Sequence, residues 1–283
     1  VEITRAMIEL LAEGLALAKQ QEQQQKSEKC NDESTPKRNN TNPFLVTPTV
    51  MYDDLSFQDS IPPSDRFIFV SETCIPIVSL DKFEEELFAI TDIGNSWVNG
   101  SNEPNNGYSR QLQWEKMSPA IPASKIWKAD QWIVLTRQHA EEVMSIPSKI
   151  SESQGFFTCF SHVRASDEMY FPTALALLGL IRSNVNNESN NEKSKTASSL
   201  TGTVMIGDNV MKRRVTYCDW SCGAKNPALF NGIKDLREMI TVARQENCLF
   251  ARKFSGEIAL QDWADVIKSQ MTREVNKKQE PQR

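Results

Sequence analysis

Residues 127–143 read WKADQWIVLTRQHAEEV, and this stretch decides the class of fold. Trp132 to Thr136 form a short apolar run without alternation, the pattern of a strand covered on both faces. A helix follows at once, starting at Thr136 and carrying Ala140 and Val143 at the spacing of one helical face. A buried strand passing directly into a helix belongs to a layered α/β arrangement, with helices covering the faces of a sheet.

The alternation continues on both sides. Upstream, RFIFVSE (66–72) is another apolar run, and Asp81 with Glu84 has the logic of a capping box for a helix through Ile90. Residues 2–18 also show helical apolar spacing. Downstream, Pro172 suits the first turn of a helix running TALALLGLI, RRVTYCDW (213–220) reads as a third strand, and residues 233–248 as an amphipathic helix. The expected architecture is α/β, with a mixed or parallel central sheet flanked by helices. Ligands of such sheets bind at the carboxyl ends of the strands. Those ends here carry Ser71-Glu72, Thr136-Arg137 and Asp219-Trp220.

Two stretches break the pattern. Residues 19–44 and 184–200 are rich in Asn, Gln, Lys and Ser and lack apolar periodicity, so both read as disordered surface insertions. Residues 268–283 read as a polar tail of the same kind, leaving 1–267 as the folded domain. The net charge of −5 argues against a dedicated nucleic-acid binder, whose phosphate contacts need a basic face. No apolar run reaches roughly 18 residues, so no stretch reads as a membrane span or as a signal peptide. The chain opens at Val1 directly into a helical pattern, which reads as an internal start. Six cysteines fit no zinc spacing, and they read either as buried thiols or as luminal disulfides. Sequons at Asn39, Asn99 and Asn187 lean toward a secretory compartment.

Three places hold residues suited to chemistry. Asp167-Glu168 lie in a turn just before the helix of Pro172, where one carboxylate facing a cleft could act as a general base. Acids are also favoured near helix N-termini for purely structural reasons. Lys212, Arg213 and Arg214 at one strand start, and Arg252-Lys253 in LFARKF, are two basic groups that could converge on a diphosphate. Solvated strand ends are the alternative for both. No phosphate loop, dinucleotide fingerprint, H-E-x-x-H, G-x-S-x-G or D-x-D motif occurs.

Five segments, in order, resemble one known family. FIFVSETCIPI (67–77) is similar to "LLSESCIPL", WKADQWIVLTRQHAEEV to "W-x-K-G-S-Q-W-x-x-L-x-R-x-H-A", and SDEMYFPTAL (166–175) to "P-D-E-H-Y-F-x-T-L". RRVTYCDWS (213–221) resembles "R-x-x-T-Y-x-D-W-S", and LFARKF (249–254) "L-F-A-R-K-F". These are blocks of the core-2/I-branching β-1,6-N-acetylglucosaminyltransferases, glycosyltransferase family 14, and their plant and algal relatives. The chain departs from them at Ala129-Asp130, where the family has Gly-Ser, and at Met169, where it has His.

The resemblance implies a GT-A-like fold whose nucleotide-binding first half lies upstream of Val1, with only its last helix (5–11) included here. It also implies an inverting, metal-independent transfer of a sugar, N-acetylglucosamine or xylose, from a UDP-sugar donor to a glycan acceptor. No cofactor is implied, the location is the Golgi lumen, and the membrane anchor would lie outside this chain. The catalytic base falls on Glu168, and the two diphosphate-binding cations fall on Arg213, with Arg214 as its rival, and on Lys253. A non-catalytic, glycan-binding family member is the alternative. A glycoside hydrolase would need a second acid partner for Glu168, and only Asp167 is at hand.

Overall fold

The computed structural model describes residues 2–32, 65–89, 94–102, 117, 120–146, 155–161, 163–184, 204–220, 226–230, 232–255 and 261–269. The deciding segment folds as its pattern demands. Strand β6 (Val134–Thr136) is buried throughout, and helix α3 (Arg137–Met144) starts at Thr136, whose hydroxyl accepts the His139 N–H at 3.2 Å.

β6 is central in a four-stranded sheet. On one side it pairs antiparallel with β1 (Arg66–Ile68), Phe67 opposite Leu135. On the other it pairs antiparallel with β3 (Ser96–Trp97), which runs parallel to β9 (Val210–Met211). A second sheet has β11 (Phe250–Arg252) between β10 (Thr216–Cys218), parallel, and β2 (Ile75–Pro76), antiparallel. Two short hairpin-like pairs complete the described strands: β4 (Gly100–Ser101) with β5 (Lys128–Ala129), and β7 (Ile181–Asn184) with β8 (Val204–Gly207).

The sheets are mixed, and this changes one expectation. Because β1 and β6 are antiparallel, with Arg66 opposite Thr136, their carboxyl ends lie at opposite edges of the sheet. Thr136-Arg137 therefore does not share a ligand-binding edge with Ser71-Glu72. Arg137 is instead a buried clamp, ion-paired with Glu22 at 2.9 Å, Asp65 at 3.2 Å and Glu141 at 3.5 Å.

Helix α1 (Glu2–Asp32) lays Thr4, Met7, Leu11, Leu15 and Ala18 against the core. It then continues through Asp32, so the first part of the stretch expected to be disordered is helical. Gln, Glu and Lys are good helix formers even without an apolar face. Lys19 reaches Glu141 at 3.4 Å, and Glu22 pairs with both Lys26 and Arg137. The remaining residues of that stretch, 33–44, lie outside the described residues, as do 185–200 and 270–283. Lys268, counted with the tail, belongs to a helix over 261–269.

Helix α2 (Leu80–Leu87) is capped by Ser79, whose hydroxyl accepts the Lys82 N–H, so Asp81 sits inside the first turn and the Asp81–Glu84 capping box does not form. Ser79 takes the extended backbone an N-cap requires, two residues earlier than the acidic pattern suggested. Ile90, its expected end, lies outside the described residues. Helix α4 (Tyr170–Leu177) has Pro172 in its first turn, as expected, and seven consecutive buried residues, Tyr170 to Ala176. Helix α5 (Ile233–Gln245) buries Leu236, Met239, Ile240 and Ala243 on one face.

The main core joins α1, α3 and α4 around Trp127, Leu135, Phe171 and Leu175. A second lies under α5, and a third, with Trp97, Trp132, Val134 and Val215, links the two sheets. Cys74, Cys159, Cys218 and Cys248 are unbridged thiols, and burial pushes those of Cys218 and Cys248 up to about 12. No helix among the described residues is long and apolar enough to cross a membrane.

Candidate active site

Glu168 closes a 3-10 turn, Ser166–Glu168, entered through Ala165 in the left-handed conformation with φ 50. The Glu168 N–H donates to the Ala165 carbonyl at 3.0 Å, and the Met169 N–H to the Ser166 carbonyl at 3.2 Å. Ser166 shares a 2.6 Å hydrogen bond with Thr4 of α1, both side chains being buried. The turn is thus pinned by α1 on one side and by the wholly buried α4 on the other. Asp167 is buried, whereas the Glu168 side chain keeps 22% of its surface exposed.

The Glu168 Oε2 lies 2.8 Å from Lys128 Nζ of β5, a close ion pair. Burial pushes the Glu168 carboxyl up, Lys128 pulls it back, and Asp167 and Asp130 repel it upward, for a net rise. Asp167 is likewise raised, chiefly by burial. A carboxylate kept above its ordinary range yet still reachable suits proton abstraction.

The basic residues separate. The Arg213 guanidinium stacks 3.8 Å above Trp97, donates to the Asn247 carbonyl at 3.0 Å, and shares Glu86 with Arg244. Arg214 meets Glu246 at 2.6 Å and Asp130 at 3.5 Å, and donates to the Cys218 carbonyl at 3.4 Å. Asp130 also accepts from Asn99 at 2.9 Å and is one of the charges acting on Glu168. Arg214 is therefore the arginine connected to Glu168, through Asp130. Both arginines line an open groove of about 550 Å³, in which Lys82, Lys212 and Arg244 face Glu86 and Glu246. Lys253 follows β11 and is half-buried, and its ammonium has no ion pair or hydrogen bond among the described residues.

Reading the sequence missed Lys128 and Asp130, which flank Ala129 in the deciding segment, and Glu86 on α2. Their signal is present only as charged residues at the edges of short elements. In the block LTRQHA, Arg137 and His139 prove to be scaffold: His139 Nδ1 shares a 2.7 Å hydrogen bond with the Ser96 hydroxyl, and that hydroxyl accepts the Thr136 N–H at 2.9 Å.

A family model described as Core-2/I-Branching enzyme matches residues 59–241, which hold Lys128, Glu168, Arg213 and Arg214. This chain belongs to that family. Glycosyltransferase BC10 of Oryza sativa subsp. japonica is 28% identical over 236 residues, which cover 70% of this chain and 54% of the rice protein. The chain thus spans about half the length of the curated relative it matches. No solved structure matches it. Mixed sheets flanked by helices are consistent with a GT-A-like glycosyltransferase domain.

Proposed function

We propose that the protein is an inverting, metal-independent glycosyltransferase of the Golgi lumen. It moves N-acetylglucosamine from UDP-N-acetylglucosamine onto a hydroxyl of a glycan acceptor. Family membership supports the reaction class. The observation that carries the reading to a residue is Glu168: a pinned, partly exposed carboxylate, raised by burial and held beside a cation.

In this reading the acceptor oxygen forms a bond to the anomeric carbon as the bond from that carbon to the diphosphate breaks. The hydroxyl proton passes to Glu168, and the leaving diphosphate keeps the electron pair. Attack from the face opposite the leaving group inverts the anomeric centre. Lys253 and one of the adjacent arginines stabilise the growing charge on the diphosphate, the task of a metal in other transferases. Arg213 would have to exchange Glu86 for phosphate, and Arg214 would have to exchange Glu246, whereas Lys253 has no such competitor among the described residues.

The test is sugar transfer by the whole protein from a panel of UDP-sugars to mixed glycans, with EDTA present, beside Glu168→Gln. Transfer should survive EDTA and fall by about 100-fold or more in the variant. Equal activity in the two proteins would remove Glu168 from the mechanism. Two inert proteins that still bind glycans would establish the non-catalytic alternative.

A further inference from the structure

Lys128 and Glu168 are 40 residues apart in sequence, yet the segments that carry them are bolted together. Trp127, the residue before Lys128, donates its N–H to the Thr173 hydroxyl at 3.1 Å and accepts from that hydroxyl through its own carbonyl at 3.2 Å. Thr173 lies in α4, the helix that follows the Glu168 turn. Lys125 adds a third tie, donating to the Ala176 carbonyl at 3.0 Å. On its other side the Lys128 backbone is held in register with Ser101 of β4. The lysine therefore approaches the carboxylate from a fixed frame.

We propose that Lys128 is the positioning residue of the base, holding the Glu168 carboxylate ionised and aimed while the acceptor hydroxyl approaches. The inference rests on the reading of Glu168 as the base. Burying an ammonium is costly unless it is paired, and the Lys128 side chain is only 16% exposed. Its partner sits among groups that oppose ionisation: Asp167 in the same turn and Asp130 beyond β5, the latter shared with Arg214. On α4, burial pushes the Tyr170 phenol up to about 12 and leaves it neutral, and on α1 the uncharged Thr4 hydroxyl bonds Ser166. Arg5 of α1 stands over the Phe157 ring. Lys128 is thus the cation in ion-pair contact with Glu168. An acceptor hydroxyl that gives up its proton to Glu168 needs that carboxylate ionised at the pH of the compartment.

The experiment compares the whole protein with Lys128→Met and Lys128→Arg, reading kcat and KM from about pH 4.5 to pH 8. In Lys128→Met the acid limb of kcat/KM should move up by about one pH unit and kcat near neutrality should fall about tenfold. Donor KM should stay within about twofold, and Lys128→Arg should restore most of the loss. An unmoved limb, with activity lost equally at every pH, would reduce Lys128 to a structural residue and overturn the inference. A thermal-unfolding cycle of Lys128→Met, Glu168→Gln and the double variant gives a readout independent of turnover. Non-additive shifts are expected, and additive ones would overturn the pairing itself. An inert wild-type protein with non-additive shifts would instead overturn the base assignment, leaving an ion pair without a catalytic role.

Discussion

At positions 213 and 214 two neighbouring arginines, in the segment between β9 and β10, turn to different partners. Arg213 meets Trp97, Glu86 and Asn247, while Arg214 meets Asp130 and Glu246. Lys253 has no side-chain partner among the described residues. The consequences for stability differ accordingly. Arg213→Ala removes a stacking contact and one of the three cations paired with a Glu86 that is only 14% exposed, and should cost about 1–3 kcal/mol. Lys253→Ala should change stability by less than about 0.5 kcal/mol while depressing sugar transfer. Denaturant unfolding measured alongside a transfer assay separates the two. A large stability loss in Lys253→Ala would mean that the lysine is a structural residue. The adjacent arginines were legible in the sequence as basic groups. Which of them connects to Glu168 was not, since that depends on Asp130, 84 positions from Arg214.

Among the elements, α3 shows how a motif can be structural. Its start was legible in Thr136, a good N-cap at the end of an apolar run. The role of His139 was not, because its partner Ser96 comes from β3. The Ser96 hydroxyl accepts the Thr136 N–H and shares a hydrogen bond with Nδ1, and burial foremost holds His139 below its ordinary value of 6.5. The unfolded chain then binds a proton more readily than the folded one, so stability is lost as pH falls below 6.5 toward the folded value. Asp167 and Glu168, raised in the fold, act with the opposite sign, and the informative quantity is therefore the difference from a variant. In His139→Gln, the urea midpoint should fall less than in the wild-type protein between pH 6.5 and about pH 5. Identical slopes would mean that the imidazole is not held neutral by burial. Helix α1 gives the converse lesson. Its apolar spacing ends near Ala18, and the turns beyond it are held by helix propensity and by ion pairs to α3, which composition alone reads as disorder.

Across the whole molecule, one core supports the site. The Glu168 turn rests on α4, and Leu175 of that helix is fully buried among residues of α1, α3 and the first sheet. Leu175→Ala should destabilise the fold by about 2–5 kcal/mol, measured by denaturant unfolding, with a loss of transfer only as large as the unfolded fraction. A milder cost would mean that the core collapses to fill the space. The alternation of strands and helices, the cap at Thr136, the buried face of α1 and the family blocks around Glu168 were all properties of the sequence by itself. Each is carried by residues within a few positions of one another, so local periodicity and residue type suffice. Only the tertiary structure decided that β1 and β6 run antiparallel, that Arg137 is a clamp, that Arg213 and Arg214 part company, and that Lys128 stands beside Glu168. Those relations join residues tens of positions apart through strand register and core packing, and no short-range pattern encodes the register of distant segments.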